Sequence, residues 1–393
     1  MPFSVRACRA RFALLFLSVV SLIFTESSLA QPNPFPVDVG SALGYFDPTR
    51  NLGSAPATAQ RQLEVGGAVG SSVANVGSQA AFSASQKRYK DFLDLESAED
   101  NQGSLFSEPA WTLGKGNHSV GLGYSWFHFT EFNGDPLDEL FDFSYSDPFL
   151  TAVEDTHFSL DAHVWTLSYG KGITDDLDVY FVLPFIRLEG AGQIAGEISS
   201  EAFPDLNTGP YSDSYDHNDM GIGDLMLRVK YAVCQDEDSV FSIGGDLVFP
   251  TGDEDEYLGG GNMGYRVRAL YSKKFGNFYP TVEVGYFYTP LDGNIQALPV
   301  EGIVIPSLNE HDFDQFEYRV GIPYACNEKV TLSLEWIGSH SKLFDQNDIG
   351  FSGRFDMGHL KEGLVLDAGV RVPIDDDGLR TDLTPFVAME YRF

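Results

Sequence analysis

Apolar and charged side chains alternate along Met220–Phe275, and this pattern constrains the fold more than any other feature of the chain. Every second residue of Leu225–Tyr231 is apolar, and Arg228 and Lys230 stand between them; Tyr265–Tyr271 repeats the alternation. A period of two predicts β-strands, because successive side chains point to opposite faces of a sheet. A soluble sandwich buries its apolar faces against each other. Charges recurring on the second face instead indicate a barrel with lipid outside and a polar interior.

The first thirty residues have the organisation of an export signal. Arginines precede a short apolar core at Ala13–Phe24, and Ser28-Leu29-Ala30 is a small-x-small cleavage site. The core is shorter than the roughly 20 apolar residues that a spanning helix needs. We therefore predict that residues 1–30 are a signal peptide, cleaved near Ala30/Gln31. The mature chain is then expected in the outer membrane of a Gram-negative bacterium.

Net charge and metal-ligand patterns limit the possible partners. The formal net charge of −32 at pH 7 excludes nucleic acid as an expected partner, because its phosphates need basic side chains. The acidic run Asp253–Glu256 lacks the alternating spacing and rigid glycine of a dedicated calcium loop, so a solvated loop is favoured. With no Cys/His cluster in the sequence, we predict no metal site and no cofactor.

Cys234 and Cys326 each stand just before a short polar turn. If both turns face the periplasm, the oxidising compartment permits a disulfide between them. Two separately packed thiols are an equally good interpretation, and the sequence leaves both open.

Residues 31–108 carry little regular pattern. Small residues, proline and glycine dominate, and Ser78–Ala98 is compatible with one amphipathic helix. One interpretation is a periplasmic or partly disordered leader. The other is a plug folded into the mouth of the barrel. Both remain open, and the barrel itself is assigned to residues 109–393.

Strand signals recur regularly from Trp111 onward and predict an all-β chain, a transmembrane antiparallel β-barrel of about 12 strands (10–14). Bacterial barrels have an even strand count, with short periplasmic turns and longer external loops. Treating Asp348–Asp356 as a short strand satisfies that parity. Three strands lie within Met220–Phe275, and the others are His118–Thr130, His157–Tyr169, Leu177–Leu188, Tyr279–Thr289, Asp314–Ala325, Lys329–Ser339, Asp348–Asp356, Gly363–Pro373 and Leu383–Phe393.

The last strand ends on an aromatic carboxy-terminus. Alternation places Val387, Met389, Tyr391 and Phe393 on its lipid-facing side. This resembles the terminal strand by which bacterial outer-membrane barrels are recognised by their assembly machinery. That machinery, together with outer-membrane lipid and lipopolysaccharide, is therefore an expected partner.

The segments GIGDLMLRVKY, LVFPTGD and ALYSKKFG resemble the core of an outer-membrane family named for a meta-pathway of phenol degradation and often labelled "transporter". A related family of outer-membrane barrels of unknown function shares much of the pattern. The resemblance covers about Trp111–Phe393 and implies an outer-membrane channel for passive uptake of small molecules, aromatic or hydrophobic compounds among them. The matching residues are Gly221, Gly223, Asp224, Leu225, Lys230, Tyr231, Pro250, Thr251, Gly252 and Asp253.

Acids and bases are equally represented among the charged residues that alternation projects into the lumen. One interpretation is a salt-bridged interior that satisfies buried charge; the other is a polar permeation path. Paired charges spanning the bore favour a closed structural or binding barrel acting through its long external loops, whereas segregated charges favour a pore. The lumen-lining candidates are Asp224, Arg228, Lys230, Asp246, Arg266, Arg268, Glu283, Glu317, Arg319, Glu335, Asp367, Arg371, Glu390 and Arg392.

Catalytic patterns are not recognisable in the chain. Outer-membrane hydrolases pair histidine with serine or with acids, but no serine stands in a nucleophile context near His157, His163 or His217. We therefore predict no catalytic residues and no enzyme activity.

Overall fold

In the computed structural model the antiparallel sheet closes on itself, because its first strand, His118–Phe132, pairs with both the next strand and the last. The model describes residues 104–139, 143–146, 151–199, 210–253, 258–289, 313–341 and 345–393. The predicted signal peptide and residues 31–103 lie outside the described residues. Within them, no helix has the length and apolarity to cross a membrane.

Twelve strands form the wall, which confirms the predicted barrel. Their bounds are β1 His118–Phe132, β2 Thr151–Gly172, β3 Leu177–Ser199, β4 in an outer half Tyr211–Ile222 and an inner half Leu225–Gln235, β5 Ser239–Phe249, β6 Gly264–Lys273, β7 Thr281–Thr289, β8 Phe313–Asn327, β9 Val330–Ser341, β10 Asp345–Asp356, β11 Leu364–Pro373 and β12 Thr384–Arg392. Short strands at Asp135–Pro136, Phe143–Ser146 and Leu379–Thr381, and a single 3-10 turn at Leu137–Glu139, belong to the connections.

Side-chain burial in β9 shows why these strands form a membrane barrel. Leu332, Leu334 and Trp336 are about half exposed, whereas Ser333 and Glu335 between them are buried. The apolar face is thus on the outside and the polar face inside, the reverse of a soluble protein. The same outward apolar face recurs around the wall, which therefore carries a lipid-facing belt.

Short connections gather at one rim, here called the short-loop rim. They are residues 173–176, 236–238, 274–280, 328–329 and 357–363. The C-terminus lies at this rim too, since the backbone N–H of His118 donates to Phe393 O (2.8 Å) and that of Phe393 to His118 O (3.0 Å). The opposite rim, here called the long-loop rim, carries the other connections, which are longer except between Ser341 of β9 and Asp345 of β10. This arrangement agrees with the predicted parity.

β2 and β3 are longer than predicted at the long-loop rim. β2 begins at Thr151 rather than His157, and β3 continues to Ser199 rather than ending at Leu188. The extra residues pair with each other, and β3 pairs with the outer half of β4. Many described side chains there are exposed, so no lipid-facing stripe marks them. A strand without one buried face lacks the period-two signal from which its length could be predicted.

Candidate functional site

A chain segment lies inside the barrel and crosses its bore. Ser104–Leu113, here called the lumenal segment, is buried throughout. The backbone N–H of Leu113 donates to Asp178 Oδ2 on β3 (2.7 Å), and that of Ser107 donates to Glu335 Oε2 on β9 (2.7 Å). β3 and β9 are opposite one another in the twelve-stranded ring. The segment therefore spans the lumen from wall to wall, and the predicted boundary at 108/109 falls within it.

The β9 end of the lumenal segment is held by one wall carboxylate. Glu335 accepts from the backbone N–H groups of Leu105 (2.8 Å), Phe106 (3.0 Å) and Ser107 (2.7 Å), and from Ser352 Oγ (3.2 Å). Successive N–H groups converging on one anion form a nest that stabilises negative charge without a basic side chain. Glu335 was predicted to face the lumen, but its backbone partners were not foreseen.

The centre of the segment contributes its own carboxylate. Glu108 Oε2 accepts from Arg228 Nη1 (3.0 Å) and Arg268 Nη1 (2.5 Å), and its Oε1 lies 3.0 Å from Lys230 Nζ. Lys230 also donates to the backbone oxygen of Pro109 (3.0 Å). Two guanidinium groups and one ammonium group of the wall thus converge on the lumenal segment.

Toward β3 the segment packs by apolar contact as well. Ala110 and Trp111 form a buried cluster with Ala232, Val240 and Leu270 of the wall. The backbone N–H of Ala110 donates to Ser272 Oγ (2.9 Å), and Ser242 Oγ donates to the backbone oxygen of Ala110 (2.5 Å). This end is therefore fixed both by shape and by hydrogen bonds.

Wall arginines meet a shared carboxylate at Asp246. Its oxygens accept from Arg228 Nε (3.1 Å), Arg266 Nη1 (3.3 Å) and Arg268 Nη2 (3.1 Å). The cross-strand register brings these groups together, because Arg228 is opposite Asp246 and Asp246 is opposite Arg266. All four are buried, and a buried charge is tolerated when it is paired in this way.

The network continues around the wall through β7 and β8. Glu283 accepts from Arg268 (3.2 Å) and Arg319 (3.2 Å), and Glu317 accepts from Arg266 (3.0 Å) and Arg319 (3.4 Å). Opposite charges therefore alternate around these side chains of β4–β8, here called the charged belt, and are not segregated into separate acidic and basic ladders.

The remaining predicted lumen charges form smaller groups on β10–β12. Asp367 accepts from Arg354 Nε (2.8 Å), and Glu390 accepts from Arg392 (3.1 Å) and from Ser119 Oγ (2.5 Å). None of these contacts involves the lumenal segment.

A third group lies at the end of β11 nearest the long loops. Arg371 pairs with Asp348, which Arg380 also contacts at 3.1 Å. Arg380 reaches Asp375 at 2.5 Å. Burial raises the pKa of Asp375, although hydrogen bonding from Asn347 and the charge of Arg380 act against that rise.

Asp224 has different surroundings from the other predicted lining residues. Its carboxylate accepts from the backbone N–H groups of Gly252 (2.9 Å) and Gly260 (2.7 Å) in the β5–β6 loop. Thr251 Oγ1 donates to Gly223 O (2.8 Å) and accepts from the N–H of Leu225 (2.9 Å). Motif residues of the family resemblance thus clamp that loop to the interruption between the two halves of β4.

Among the described residues, five buried charged side chains were absent from the predicted lumen-lining set: Glu108, Asp178, Asp348, Arg354 and Arg380. Glu108 lies in the leader, and Arg380 lies in what was predicted as an external loop. Arg354 follows Ser352 and Gly350 on one face of β10, but glycines weaken the alternation there. Asp178 could have been found, since it stands opposite Lys230 once the register is known.

Apolar side chains replace the charges one step closer to the long-loop rim. Val182, Met226, Val248 and Phe287 form a buried cluster there. The guanidinium carbon of Arg266 lies 4.7 Å from the centre of the Phe287 ring, which joins this cluster to the charged belt. The lumen is therefore packed both at the level of the segment and beside it.

Cys326 is a free, exposed cysteine. The disulfide between Cys234 and Cys326 that the sequence left open is consequently not formed in this structure.

With the geometry established, the chain can be compared with known proteins. Residues 148–293 match the family model described as "Putative MetA-pathway of phenol degradation". The resemblance predicted from Met220–Phe275 is confirmed. No curated protein matches the chain.

Solved structures similar to this chain include outer-membrane channels and transporters. The COG4313 outer membrane channel from Pseudomonas putida F1 has a TM-score of 0.43 and 12% identity, over 72% of this chain and 98% of that one. The Ralstonia pickettii toluene transporter TbuX has a TM-score of 0.36 and 12% identity, over 71% and 90%. The P. putida toluene transporter TodX has a TM-score of 0.35 and 9% identity, over 72% and 92%.

Proposed function

We propose that the protein is an outer-membrane channel for passive uptake of small molecules, with the lumenal segment as its gate. The observation that carries this proposal is the segment itself. It crosses the bore between opposite walls and is buried along its whole length, yet it is not a strand of the wall sheet. A barrel serving only as a scaffold could fill its lumen with wall side chains alone, as eight-stranded barrels do.

The contacts that hold the segment are suited to exchange. Glu335 and the cations around Glu108 bind it through hydrogen bonds and ion pairs. When the segment leaves, water or a polar solute can supply equivalent hydrogen-bond partners to the wall side chains and to the segment. The wall, by contrast, remains closed by the backbone hydrogen bonds between β1 and its two neighbours.

Aromatic or other hydrophobic compounds are the solutes that the family match favours, since its model is named for phenol degradation. The apolar cluster at Val182 and Phe287 offers a contact surface for an aromatic or hydrophobic solute once the segment has moved. A transport role, and not an enzymatic one, is part of the proposal.

Export and membrane residence complete the proposed role. Cleavage near Ala30/Gln31 would release the mature chain. The strand ending at Phe393 would engage the barrel-assembly machinery, with outer-membrane lipid and lipopolysaccharide as surroundings. Tyr391 and Phe393 stack at 5.3 Å beside the lipid-facing surface, which fits an aromatic membrane anchor.

A closed structural or binding barrel is the second candidate. The observation in its favour is the alternation of opposite charges around the belt, for example Arg268 with Asp246 and Glu283. In that case the segment would be a permanent filler and the long loops would carry the contacts.

Single-channel conductance in a planar bilayer separates the two functions. We expect rare openings from the full-length protein and stable conductance steps from a variant lacking residues 31–113. Silence of the shortened barrel, with its β-content intact by circular dichroism, would favour the closed barrel.

A further inference from the structure

We infer that the wall cations around Glu108 form a binding site for small carboxylate solutes, and that Glu108 occupies it as a tethered stand-in. This inference rests on the proposed channel function and deepens it by naming a class of solute. The family match suggests a solute with an aromatic or hydrophobic part. The inference goes beyond that, because it concerns the charged group of the solute.

Charge balance in the belt is the first support. The wall contributes more bases than acids to the connected network, and Glu108 from the lumenal segment makes up part of the difference. The wall bases are Arg228, Lys230, Arg266, Arg268 and Arg319, and the wall acids are Asp246, Glu283 and Glu317. Without the segment, the belt is a positively charged ring that favours an anion.

Asp178 does not remove this excess. It is opposite Lys230 in the β3–β4 register, but its Oδ2 accepts from the N–H of Leu113 (2.7 Å) and from the Tyr180 hydroxyl (3.1 Å). Even when Asp178 is counted with the belt, wall bases outnumber wall acids.

Lys230 depends most on the segment. It is fully buried, and its ammonium contacts Pro109 O and Glu108 Oε1, each at 3.0 Å. Both partners belong to the lumenal segment. When the segment leaves, Lys230 therefore loses both contacts and keeps only the Tyr180 ring, whose centre is 5.9 Å from its ammonium, and Asp178 on the neighbouring strand. A buried ammonium that loses its hydrogen-bond partners is costly. A solute anion would restore them.

The donor arrangement indicates a carboxylate. Arg228 and Arg268 direct Nη1 groups to one oxygen of Glu108, and Lys230 lies at the other oxygen. Donors are therefore preset for two oxygens of one planar group. Hydrogen bonds from guanidinium and ammonium groups to a carboxylate are charge-assisted and stronger than neutral ones. A spherical anion such as chloride would reach only part of the set.

Replacement of Glu108 by a free carboxylate tests the site. Glu108→Ala removes a methylene and a carboxylate, which together correspond to the acetate ion. We expect Glu108→Ala to lower the thermal unfolding midpoint and acetate to restore it, while acetamide at equal ionic strength does not. At about ten times its dissociation constant, acetate should raise the folded-to-unfolded ratio about tenfold.

Controls separate a specific site from general anion effects. Glu237→Ala, in the exposed β4–β5 turn, should show no acetate response beyond that of the unaltered protein. Adding Lys230→Met to Glu108→Ala should abolish the response. Equal stabilisation by chloride or inorganic phosphate would overturn the carboxylate assignment, as would equal stabilisation by acetamide.

A second variant covers the case in which Glu108→Ala does not fold. Glu335→Gln loosens the other anchor and leaves Glu108 and its cations in place. Acetate should then compete with Glu108 and increase channel opening, whereas acetamide should not; no difference between the two would overturn the inference.

The channel proposal and the carboxylate inference fail differently. Conductance without any acetate response leaves the channel standing and removes the carboxylate site. Acetate restoration of Glu108→Ala, in a barrel that stays silent even when residues 31–113 are deleted, retains the site and removes the channel.

Discussion

Among the carboxylates that hold the lumenal segment, Glu335 and Glu108 do so in opposite ways. Glu335 belongs to the wall and accepts backbone N–H groups of the segment. Glu108 belongs to the segment and accepts from cationic side chains of the wall. The first contact depends on the conformation of the segment and little on its sequence. The second depends on a side chain of the segment, so a substitution within the segment can weaken it.

This difference assigns separate tasks to the two anchors. A nest of N–H groups requires the segment to keep its local backbone shape, so Glu335 selects a conformation. The cations around Glu108 need only a negative group, so that anchor can exchange one anion for another. The gate is expected to open from the Glu108 side.

Glu108→Gln should give the largest effect, because it leaves Lys230 and its arginine neighbours short of one buried negative charge. Loss of one partner of a buried pair costs about 3–5 kcal/mol. We expect a lower unfolding midpoint by differential scanning calorimetry and frequent openings in bilayer recordings. Glu237→Gln, an exposed matched change, should alter neither. Stable closure of Glu108→Gln would show that the remaining contacts, the Glu335 nest and the packing of Trp111 among them, hold the segment without this carboxylate.

Arg354→Met should cause the next largest loss of stability. It tests a part of the wall that does not hold the proposed gate. It leaves Asp367 buried without its arginine, at a cost of about 3 kcal/mol. Neither residue contacts the lumenal segment among the contacts described above, so conductance should match that of the unaltered protein. Joint replacement as Arg354→Met with Asp367→Leu should recover most of the lost stability, since two apolar side chains need no partner. Altered conductance in either variant would tie the segment to this part of the wall.

Glu335→Gln should weaken the nest by about 2 kcal/mol, because hydrogen bonds to a charged acceptor become bonds to a neutral amide oxygen. We expect brief openings, fewer than in Glu108→Gln. Hydrogen exchange of the Leu105, Phe106 and Ser107 amides should accelerate, while exchange of the Leu113 amide should change less. Equal acceleration at both ends would mean that the segment moves as one unit.

The wall was predictable because lipid imposes a period of two on it. β9 exposes Leu332, Leu334 and Trp336 in strict alternation, and this apolar alternation can be recognised from the sequence alone. The outer parts of β2 and β3 have no lipid-facing side, so their lengths were underestimated. Contact with lipid, more than the intrinsic strand preference of the residues, therefore decided which strand lengths could be predicted.

The lumenal segment was not predictable by the same means. Its contacts to Glu335 are made by backbone N–H groups, which leave no side-chain pattern in the sequence. Its one charged group, Glu108, stands among small and apolar neighbours. The equal numbers of acids and bases in the predicted lumen hid the local imbalance, because Asp224 and Glu335 bind backbone N–H groups and do not neutralise cations. If those two acids had been left out of the count, the excess of bases would have indicated that a carboxylate was missing.

Asp224→Asn should have the smallest effect and extends the comparison to a third carboxylate. Like Glu335, Asp224 accepts backbone N–H groups, those of Gly252 and Gly260, but it holds an external loop and not the gate. An asparagine side-chain oxygen can still accept one of them, so the expected loss is about 1 kcal/mol. We expect faster proteolysis within the β5–β6 loop and unchanged conductance, with Asp236→Asn in an exposed turn as the matched control. A change in conductance would mean that this loop reaches the permeation path. The clamp formed by Asp224 and Thr251, two residues of the predicted family resemblance, would then be part of the proposed gate.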